Sequence, residues 1–550
     1  MSAGWLIVVA IVAASAATAV AVTTRNGPWD RRDSGVYAGI ADNLRSGRGP
    51  TVPFETKMFP GDLRADLAAL PELPSELYPP GYPAALAVGE ATGLGRGDAG
   101  RAVNVAAMVL LVAAVAGSTL RLLPAAPSRA VMVAAVVGFL PTTQALATQY
   151  MSDLMALALT AVAWWALMEL LVRRGTRAGA VAAAVYTVAA VGLVLTRNAG
   201  IALAPAAVVV AWFAWRSWWR AALLAVPTLG AAGAWSLVVQ SSGGERVLSA
   251  HIEPTDVARE VLTTSTSWFA SSTAPTWMRA TVAGAALVML AIVAGTAVAA
   301  RRGLPDDGEE ARVSGGVTPD RLPSPGRLLG AVIVAYVIAY LGVVTASRFF
   351  VGDGIPFNPR MLAPVQVAVV MLGALGLHRA SVEHGTRLLA GVVALVVAGL
   401  LVNPWRSDAA WSFVGRSSTA AALSGGVEPE PVPYALGVAA TLPDAILVVT
   451  NAPERLWYGF ARSSLAIPLA EDGNRGEPNA RFESELDALG DIVRERPTVV
   501  VVVFDRATDR LLRRHLDPCQ VERVRSGVLL YAGAVCADVS LRPAASDPAS

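Results

Sequence analysis

Long apolar stretches separated by short polar loops dominate the first 403 residues of the chain. A helix needs about 20 predominantly apolar residues to cross the hydrocarbon core of a bilayer. Stretches near this length predict about 11 transmembrane helices, which we place at 4–23, 102–120, 130–148, 153–171, 180–195, 199–215, 221–239, 280–300, 328–346, 361–377 and 388–402. The fold class expected for residues 1–403 is therefore an α-helical polytopic membrane bundle.

The hydrophobic pattern changes after Asn403. Apolar runs shorten to strand length at 445–450 and 498–504, helical segments lie between them, and 521–532 has the pattern of a β-hairpin. These features predict a small α/β domain over residues 404–550 that ends in a disordered tail. No glycine-rich phosphate-binding loop follows either strand, so we expect this domain to bind an acceptor or a partner rather than to hold a second catalytic centre.

Composition supports the membrane class and narrows the choice of partners. The chain is 54% hydrophobic and only 16% charged, with a net charge of +2. So small a charge, without basic stretches interleaved with aromatic residues, argues against a nucleic acid as partner and leaves membrane lipids.

The distribution of arginines predicts which side of the membrane each loop faces. Short cytoplasmic loops retain Lys and Arg, and alternate loops are rich in Arg, including the charged linker at 301–327. The loop 25–101 and everything after residue 403 are therefore expected outside the cytoplasm, in a multi-pass cell-membrane protein. The first span is either a transmembrane helix or a cleaved signal peptide. Cys519 and Cys536 flank the predicted hairpin on the oxidising side, so we expect a disulfide between them.

Charged residues gather at the predicted outer ends of helices and are almost absent from mid-span positions. Those at the outer ends are Asp33, Asp153, Arg197, Arg348 and Arg360. Proton-coupled transporters usually place charges at mid-membrane depth. The pattern therefore favours a site at the interface of membrane and water, which a lipid substrate reaches from one side and a polar substrate from the other.

The segment after the first predicted span indicates a short helix at 34–44 with Asp33 as its N-cap. Val36, Ile40 and Leu44 repeat at helical spacing, so we expect them against the membrane or the bundle. Tyr37 follows Asp33 by one turn, and both side chains are expected to face the same space. The alternative to a functional role is that Asp33 only caps this helix.

Three further features follow in order: "NLRSGRG" at 43–49, the extended "YPPGYPAALA" at 78–87, and a bundle of later spans. With the external Asp33 and Tyr37, this ordered set resembles the GT-C superfamily of membrane glycosyltransferases over roughly residues 1–402. The relatives it resembles most are the protein O-mannosyltransferases and the lipid A aminoarabinose transferase.

The resemblance implies a role for several residues. In that superfamily an external-loop Asp near the end of the first span is implicated as the catalytic base. Asp33 matches it, and Asp30 and Asp42 are the alternatives. An Arg followed by an apolar residue and Pro begins a late span, as Arg360 does in "RMLAP". An acidic residue also begins a helix that faces the cavity, which matches Asp153. The second acidic residue that the family often carries beside the base is missing here. The sequence therefore requires no metal, and the cofactor is left open.

A transferase outside the cytoplasm needs a sugar donor carried on a lipid such as polyprenyl phosphate, because nucleotide sugars are scarce there. Arg binds phosphate oxygens bidentately and stays charged, so Arg360 and Arg197 are the candidate phosphate ligands. Tyr37 and Tyr78 complete the expected substrate-binding set. Alternatives remain for the charged residues: Arg360 and Arg197 as lipid-headgroup anchors, and Asp153 with Ser152 as a helix cap.

The function expected from these observations is transfer of a sugar from a polyprenyl phosphate-linked donor to an extracytoplasmic acceptor, with inversion by an Asp base. The acceptor is a cell-envelope glycan, a lipid or a protein. Two alternatives from other classes are a transporter or flippase of lipid-linked glycans and a non-catalytic scaffold for envelope assembly.

Overall fold

The structure is a computed structural model that describes the chain in segments. The described residues are 3–25, 28, 32–52, 73–74, 78–124, 126–241, 325–351, 360–384, 434–468, 470, 479, 482–495, 497–503, 506–516, 518–524 and 527–532. Two predicted spans, 280–300 and 388–402, lie outside them, as does most of the linker at 301–327.

Helices make up nearly all of the described chain before residue 385. They are α1 (Ala3–Thr23), α2 (Arg32–Arg45), α3 (Gly81–Ala91), α4 (Arg96–Leu122), α5 (Pro127–Phe139), α6 (Pro141–Ala147), α7 (Asp153–Val172), α8 (Arg177–Thr196), α9 (Leu203–Trp215), α10 (Trp218–Leu223), α11 (Val226–Ser241), α12 (Pro325–Val351) and α13 (Ala363–His384). A 3₁₀ turn, Asn198–Ala202, joins α8 to α9. Strands β1 (Thr51–Val52) and β2 (Leu73–Pro74) pair antiparallel between α2 and α3.

Six helices within the described ranges are long and apolar enough to cross a membrane: Gly4–Thr23, Arg96–Leu122, Asp153–Val172, Arg177–Thr196, Asn198–Trp215 and Leu328–Ser347. Shorter apolar helices are Pro127–Phe139, Val226–Val239 and Ala363–Leu375. The chain is thus a mostly helical membrane protein, and the expected number of about 11 spans stays a prediction.

Proline explains why one predicted span is not a continuous helix. The sequence pattern placed a span at 130–148, but α5 ends at Phe139 and α6 begins at Pro141. Proline lacks the backbone N–H that would continue the helical hydrogen bonds, and it is favoured in a first turn. The apolar stretch is therefore divided into two helices at Leu140.

Helix α7 is the centre of the membrane bundle. Its buried side chains run from Asp153 at the first residue to Leu171 near the end, and it packs against α4 and α8. Many of these residues are alanines, whose small side chains let membrane helices approach closely. Trp164 of α7 packs edge-to-face on Tyr336 of α12, with ring centroids 5.3 Å apart. This central position fixes where Asp153 lies.

The residues after 433 contain a mixed five-stranded sheet, which we call the C-terminal α/β unit (434–532). Its elements are α14 (Tyr434–Ala440), β3 (Leu447–Thr450), α15 (Pro453–Phe460), β4 (Leu465–Ala466), α16 (Phe482–Glu495), β5 (Thr498–Val503), α17 (Arg506–Leu516), β6 (Gln520–Val524) and β7 (Gly527–Ala532). The strand order is β4-β3-β5-β7-β6. Strand β3 is parallel to β4 and β5, whereas β7 is antiparallel to β5 and β6.

The two faces of this sheet have different partners. Every residue of β5 is buried, as expected for a strand covered on both faces. Val500 and Val502 pack with α16 and α17, while Val499 and Val501 pack with α14 and α15. The antiparallel β6–β7 pair forms the hairpin that the sequence pattern indicates.

Of the two cysteines in the predicted disulfide, only Cys519 lies within the described residues. The backbone N–H of Cys519 donates to the carbonyl of Tyr531 at 3.0 Å, next to the hairpin. Cys536 lies outside the described residues, so the pairing stays a prediction. The same holds for the domain boundary at 403 and for the side of the membrane on which the C-terminal α/β unit lies.

The apolar face of α2 does not have the partner expected from the sequence. Val36 and Ile40 form a buried cluster with Val52 and with Trp457 of α15, and Leu44 packs beside it. The expectation that this face lies against the membrane or the bundle was therefore wrong. Helical spacing identifies a buried face but not its partner, and here that partner is an indole in the C-terminal α/β unit.

Candidate active site

Asp33 lies inside the first turn of α2, because that helix begins at Arg32 rather than at Ser34. Its Oδ1 accepts a hydrogen bond from the Tyr78 hydroxyl at 3.0 Å. Its Oδ2 is 3.6 Å from Nη2 of Arg360, and 29% of the side chain is exposed. A carboxylate is favoured near a helix N-terminus, and both oxygens of this one have side-chain partners.

Two tyrosines form the wall beside Asp33. The rings of Tyr37 and Tyr78 meet edge-to-face with centroids 5.3 Å apart. The hydroxyl of Tyr37 is 2.8 Å from Oγ of Ser152, and the side chain is buried. Burial, followed by the negative charges of Asp33 and Asp153, raises the pKa of the Tyr37 phenol, so the group stays protonated. Tyr37 therefore packs against Tyr78, and Tyr78 donates to Asp33.

Asp153 is the most deeply buried charge of the site, with 1% of its side chain exposed. Nη1 of Arg197 contacts its Oδ1, and Nη2 of Arg360 lies 3.2 Å from its Oδ2. Ser152 at the N-cap of α7 makes no side-chain capping bond. Ser152 thus takes the N-cap position that the sequence indicates, but the expected capping bond is not made, and the carboxylate of Asp153 faces two arginines instead.

Arg197 extends from the chain between α8 and the 3₁₀ turn, with an extended backbone at φ −148° and ψ 130°. Besides Asp153, it contacts the sulfur of Met361, 3.0 Å from Nη2. A lipid-anchoring arginine would direct its guanidinium to the headgroups. The contacts of Arg197 place its guanidinium inside the helix bundle.

Arg360 precedes α13 and links the two carboxylates, with 30% of its side chain exposed. The turn that carries it is held by α12, because the Tyr340 hydroxyl donates to the carbonyl of Met361 at 2.6 Å. The Nε of Arg360 is buried and has no hydrogen-bond partner within the described part of the chain. The guanidinium therefore faces the site and keeps one donor without a protein acceptor there.

A cavity adjoins this network of charges. Asp153, Arg197 and Arg360 line one end, and Leu157, Thr160, Leu193, Tyr336 and Tyr340 are among the residues lining the rest. Both Asp153 and Thr160 line the cavity, and they lie two turns apart on α7. At 1.5 Å per residue, this separation is about 10 Å along the helix. The cavity is small, about 10 Å³, with a charged end and a lining that is otherwise mostly apolar and aromatic.

The structure brings all six predicted site residues together. Hydrogen bonds and ion pairs connect them in the order Tyr78, Asp33, Arg360, Asp153 and Arg197, with the ring of Tyr37 against Tyr78. Tyr336 and Tyr340 also line the cavity but were not predicted, since a tyrosine inside a span has no local signal that distinguishes a cavity from the core. Arg348 belongs to α12, but its side chain lies outside the described residues.

No group of three or more His, Cys, Asp and Glu side chains that could hold a metal ion occurs among the described residues. The cofactor therefore remains open, as the sequence left it.

Comparison with known proteins gives structural neighbours only. No family model and no curated protein matches the chain. ArnT from Cupriavidus metallidurans bound to undecaprenyl phosphate is 16% identical over 99% of this chain and 100% of its own, with a TM-score of 0.49. The oligosaccharyltransferase AglB from Archaeoglobus fulgidus, in complex with an inhibitory peptide and a dolichol-phosphate, is 12% identical. The match covers 91% of this chain and 69% of AglB, with a TM-score of 0.49. The arabinofuranosyltransferase AftD from Mycobacteria is 16% identical. The match covers 97% of this chain and 42% of AftD, with a TM-score of 0.49.

All three neighbours are GT-C superfamily membrane glycosyltransferases. Identities of 12–16% and TM-scores of 0.49 support no inference about residues or substrate, so the function has to be argued from the site itself.

Proposed function

We propose that this protein is an integral membrane glycosyltransferase that transfers a sugar from a polyprenyl phosphate-linked donor to an extracytoplasmic acceptor. One observation carries the proposal. The guanidinium of Arg360 joins a partly exposed carboxylate, Asp33, to a buried one, Asp153, at the charged end of a cavity that continues between apolar helices. The lining of that cavity, rather than its volume of about 10 Å³, suits a ligand with an anionic headgroup and an apolar chain.

Arg360 and Arg197 are the proposed phosphate ligands. Asp153 contacts both guanidinium groups and fixes their orientation. Negative charge grows on the phosphate as the glycosidic bond breaks, and a guanidinium held in place beforehand stabilises that charge without reorganising. Planar guanidinium groups also match phosphate oxygens in a bidentate manner, which a lysine does not.

Asp33 is the proposed general base. A phosphate on Arg360 competes with Asp33 for the same guanidinium, so Oδ2 of Asp33 becomes available while Oδ1 keeps its bond to Tyr78. The carboxylate then takes the proton of the acceptor hydroxyl as that oxygen attacks the anomeric carbon. The bond from this carbon to the phosphate oxygen breaks, the electron pair leaves with the phosphate, and the configuration inverts.

The test is transfer of labelled sugar in membranes of the native host, which carry the acceptor, using a panel of polyprenyl phosphate sugars. Wild-type protein is compared with Asp33→Asn and with Asp98→Asn at equal expression. Asp98 is a matched control because it is an exposed carboxylate paired with Arg101 at 2.9 Å, away from the site.

We expect the wild type and Asp98→Asn to transfer from one donor, and Asp33→Asn to lose about 100-fold or more of the rate. Equal rates for Asp33→Asn and wild type would remove Asp33 as the base. Transfer from none of the donors by the wild type would reject the glycosyltransferase proposal, and a glycolipid flipping assay would then test the transporter alternative.

A further inference from the structure

The C-terminal α/β unit lies directly on α2, the helix that carries Asp33. The closest approach is at Gly35, where a Cβ atom would lie 2.0 Å from the carbonyl oxygen of Glu454 and 2.8 Å from its Cβ. Both distances are below the 3.0 Å that real Cβ contacts respect. Glycine at this position therefore allows α2 and the first turn of α15 to meet backbone to backbone, two residues after Asp33.

The contact continues along the helix. Val36 and Ile40 pack with Trp457, whose side chain is buried between α2 and the C-terminal α/β unit. Two residues after Ile40, Oδ2 of Asp42 accepts a hydrogen bond from the indole N–H of Trp457 at 3.1 Å. Residues 35 to 42, about two turns of α2, thus contact the same helix, α15.

Arg96 binds both α2 and α15 at the end of this contact that is farther from Asp33. Its Nη2 is 2.7 Å from Oδ2 of Asp42, and its Nη1 donates to the carbonyls of Trp457 at 3.1 Å and Tyr458 at 2.6 Å. The last carbonyls of a helix have no partner within the helix and attract cations. Arg96, the first residue of α4, therefore caps the C-terminus of α15 and holds Asp42 of α2 with the same guanidinium.

The opposite side of α2 is held by aromatic rings. Tyr458 packs on Tyr150 with centroids 5.3 Å apart, Tyr150 on Tyr82 at 6.0 Å, and Tyr82 on Tyr37 at 5.1 Å. Tyr37 in turn contacts Tyr78, the hydrogen-bond donor to Asp33. Contacts from the C-terminal α/β unit therefore reach Asp33 by two routes around α2.

We infer that the C-terminal α/β unit is a brace that holds α2 and so sets the position of Asp33, with Gly35 and Arg96 as positioning residues. The inference rests on the proposed function, since it assigns the brace a role in the reaction. A helix of 14 residues is marginal by itself in water. Arg96 acts on Asp33 through Asp42, about 13 Å away along the helix, and an error of 1 Å in a reacting group costs about 100-fold in rate.

Two variants at opposite ends of the contact test the brace in the full-length protein. Gly35→Ala places a methyl group against the Glu454 carbonyl, whereas Gly230→Ala is the matched control in α11, where nothing lies within 4 Å. Alanine is a better helix former than glycine, so a weaker α2 helix cannot explain a loss. Arg96→Gln removes the capping charge, and Arg96→Lys restores the charge without the forked geometry.

Two properties are measured. Steady-state kinetics of sugar transfer give kcat and the KM for the donor, and hydrogen exchange reports the amide protection of residues 32–45. We expect at least a tenfold lower kcat in Gly35→Ala and Arg96→Gln, a donor KM within about twofold of wild type, partial recovery in Arg96→Lys, and faster exchange in α2. Gly230→Ala should match wild type.

The outcomes separate the two proposals. Faster exchange with an unchanged kcat would overturn the positioning role, and unchanged exchange in both variants would overturn the brace. A wild type that transfers no sugar rejects the proposed function instead, and the exchange rates of α2 still decide whether the C-terminal α/β unit holds the helix.

Discussion

Nη2 of Arg360 lies 3.6 Å from Oδ2 of Asp33, beyond ordinary hydrogen-bond range, and the same nitrogen lies 3.2 Å from Oδ2 of Asp153. The shorter contact is to the buried carboxylate and the longer one is to the partly exposed carboxylate. Exposed ion pairs contribute little energy because water screens them. Under the proposed function, the contact of Arg360 with Asp33 is therefore the one that the donor phosphate displaces most readily.

Replacing Arg360 with Lys tests whether the planar guanidinium is needed. An ammonium group carries the same charge but cannot hold Asp153 and a phosphate in a forked arrangement. We expect kcat to fall about 100-fold, the effect typical of losing one donor that stabilises transition-state charge. Initial transfer rates at saturating donor measure it, with Arg101→Lys as a control because Arg101 pairs with Asp98 outside the site. A wild-type rate for Arg360→Lys would show that charge alone is sufficient there.

Asp153→Asn should destabilise the protein and increase the stabilisation that a bound lipid phosphate gives it. The change leaves Arg197 and Arg360 without their shared carboxylate, and breaking a buried ion pair in this way costs about 3 kcal/mol or more. The unbalanced positive charge should then bind an anion more strongly.

Melting temperatures in detergent, with and without undecaprenyl phosphate, measure both effects. The control is Asp491→Asn, which removes an exposed pair with Arg494 that contributes little. We expect a lower melting temperature for Asp153→Asn and a larger rise on adding the lipid phosphate than in wild type. An equal rise in the two proteins would count against Asp153 as the residue that balances the phosphate ligands.

The sequence predicted the parts of the fold that depend on local pattern. Unbroken apolar stretches such as 177–196 are single helices, and the alternating residues at 521–532 form a hairpin. Arg360 was identified from the "RMLAP" motif and the fit of a guanidinium to phosphate. A cation at the start of a helix is unfavourable unless an anion compensates, and in the structure Asp33 and Asp153 lie beside it.

The sequence could not reveal contacts that join distant parts of the chain. Trp457 lies 415 positions after Asp42, and nothing in the spacing of Val36 and Ile40 distinguishes an indole from lipid. Likewise, a serine and an aspartate before a span have the pattern of a helix cap until Arg197 is brought to Asp153 by the turn after α8. Tertiary partners, not local preference, decided both cases.

Glu90 of α3 gives a prediction about pH. Its carboxyl is buried beside Asp42, with Nη1 of Arg45 3.7 Å away, and burial followed by the charge of Asp42 raises its pKa above the ordinary value near 4.5. The folded protein therefore keeps a proton that the unfolded chain releases, so stability falls as pH rises through the folded pKa. Glu90→Gln removes this titration. The melting temperature of the variant minus that of wild type, measured in detergent from pH 4 upwards, should increase with pH until Glu90 is fully ionised. A difference that decreases with pH would mean that the charges of Arg96 and Arg45 outweigh burial and reverse the sign of the shift, and a flat difference would mean that these effects cancel.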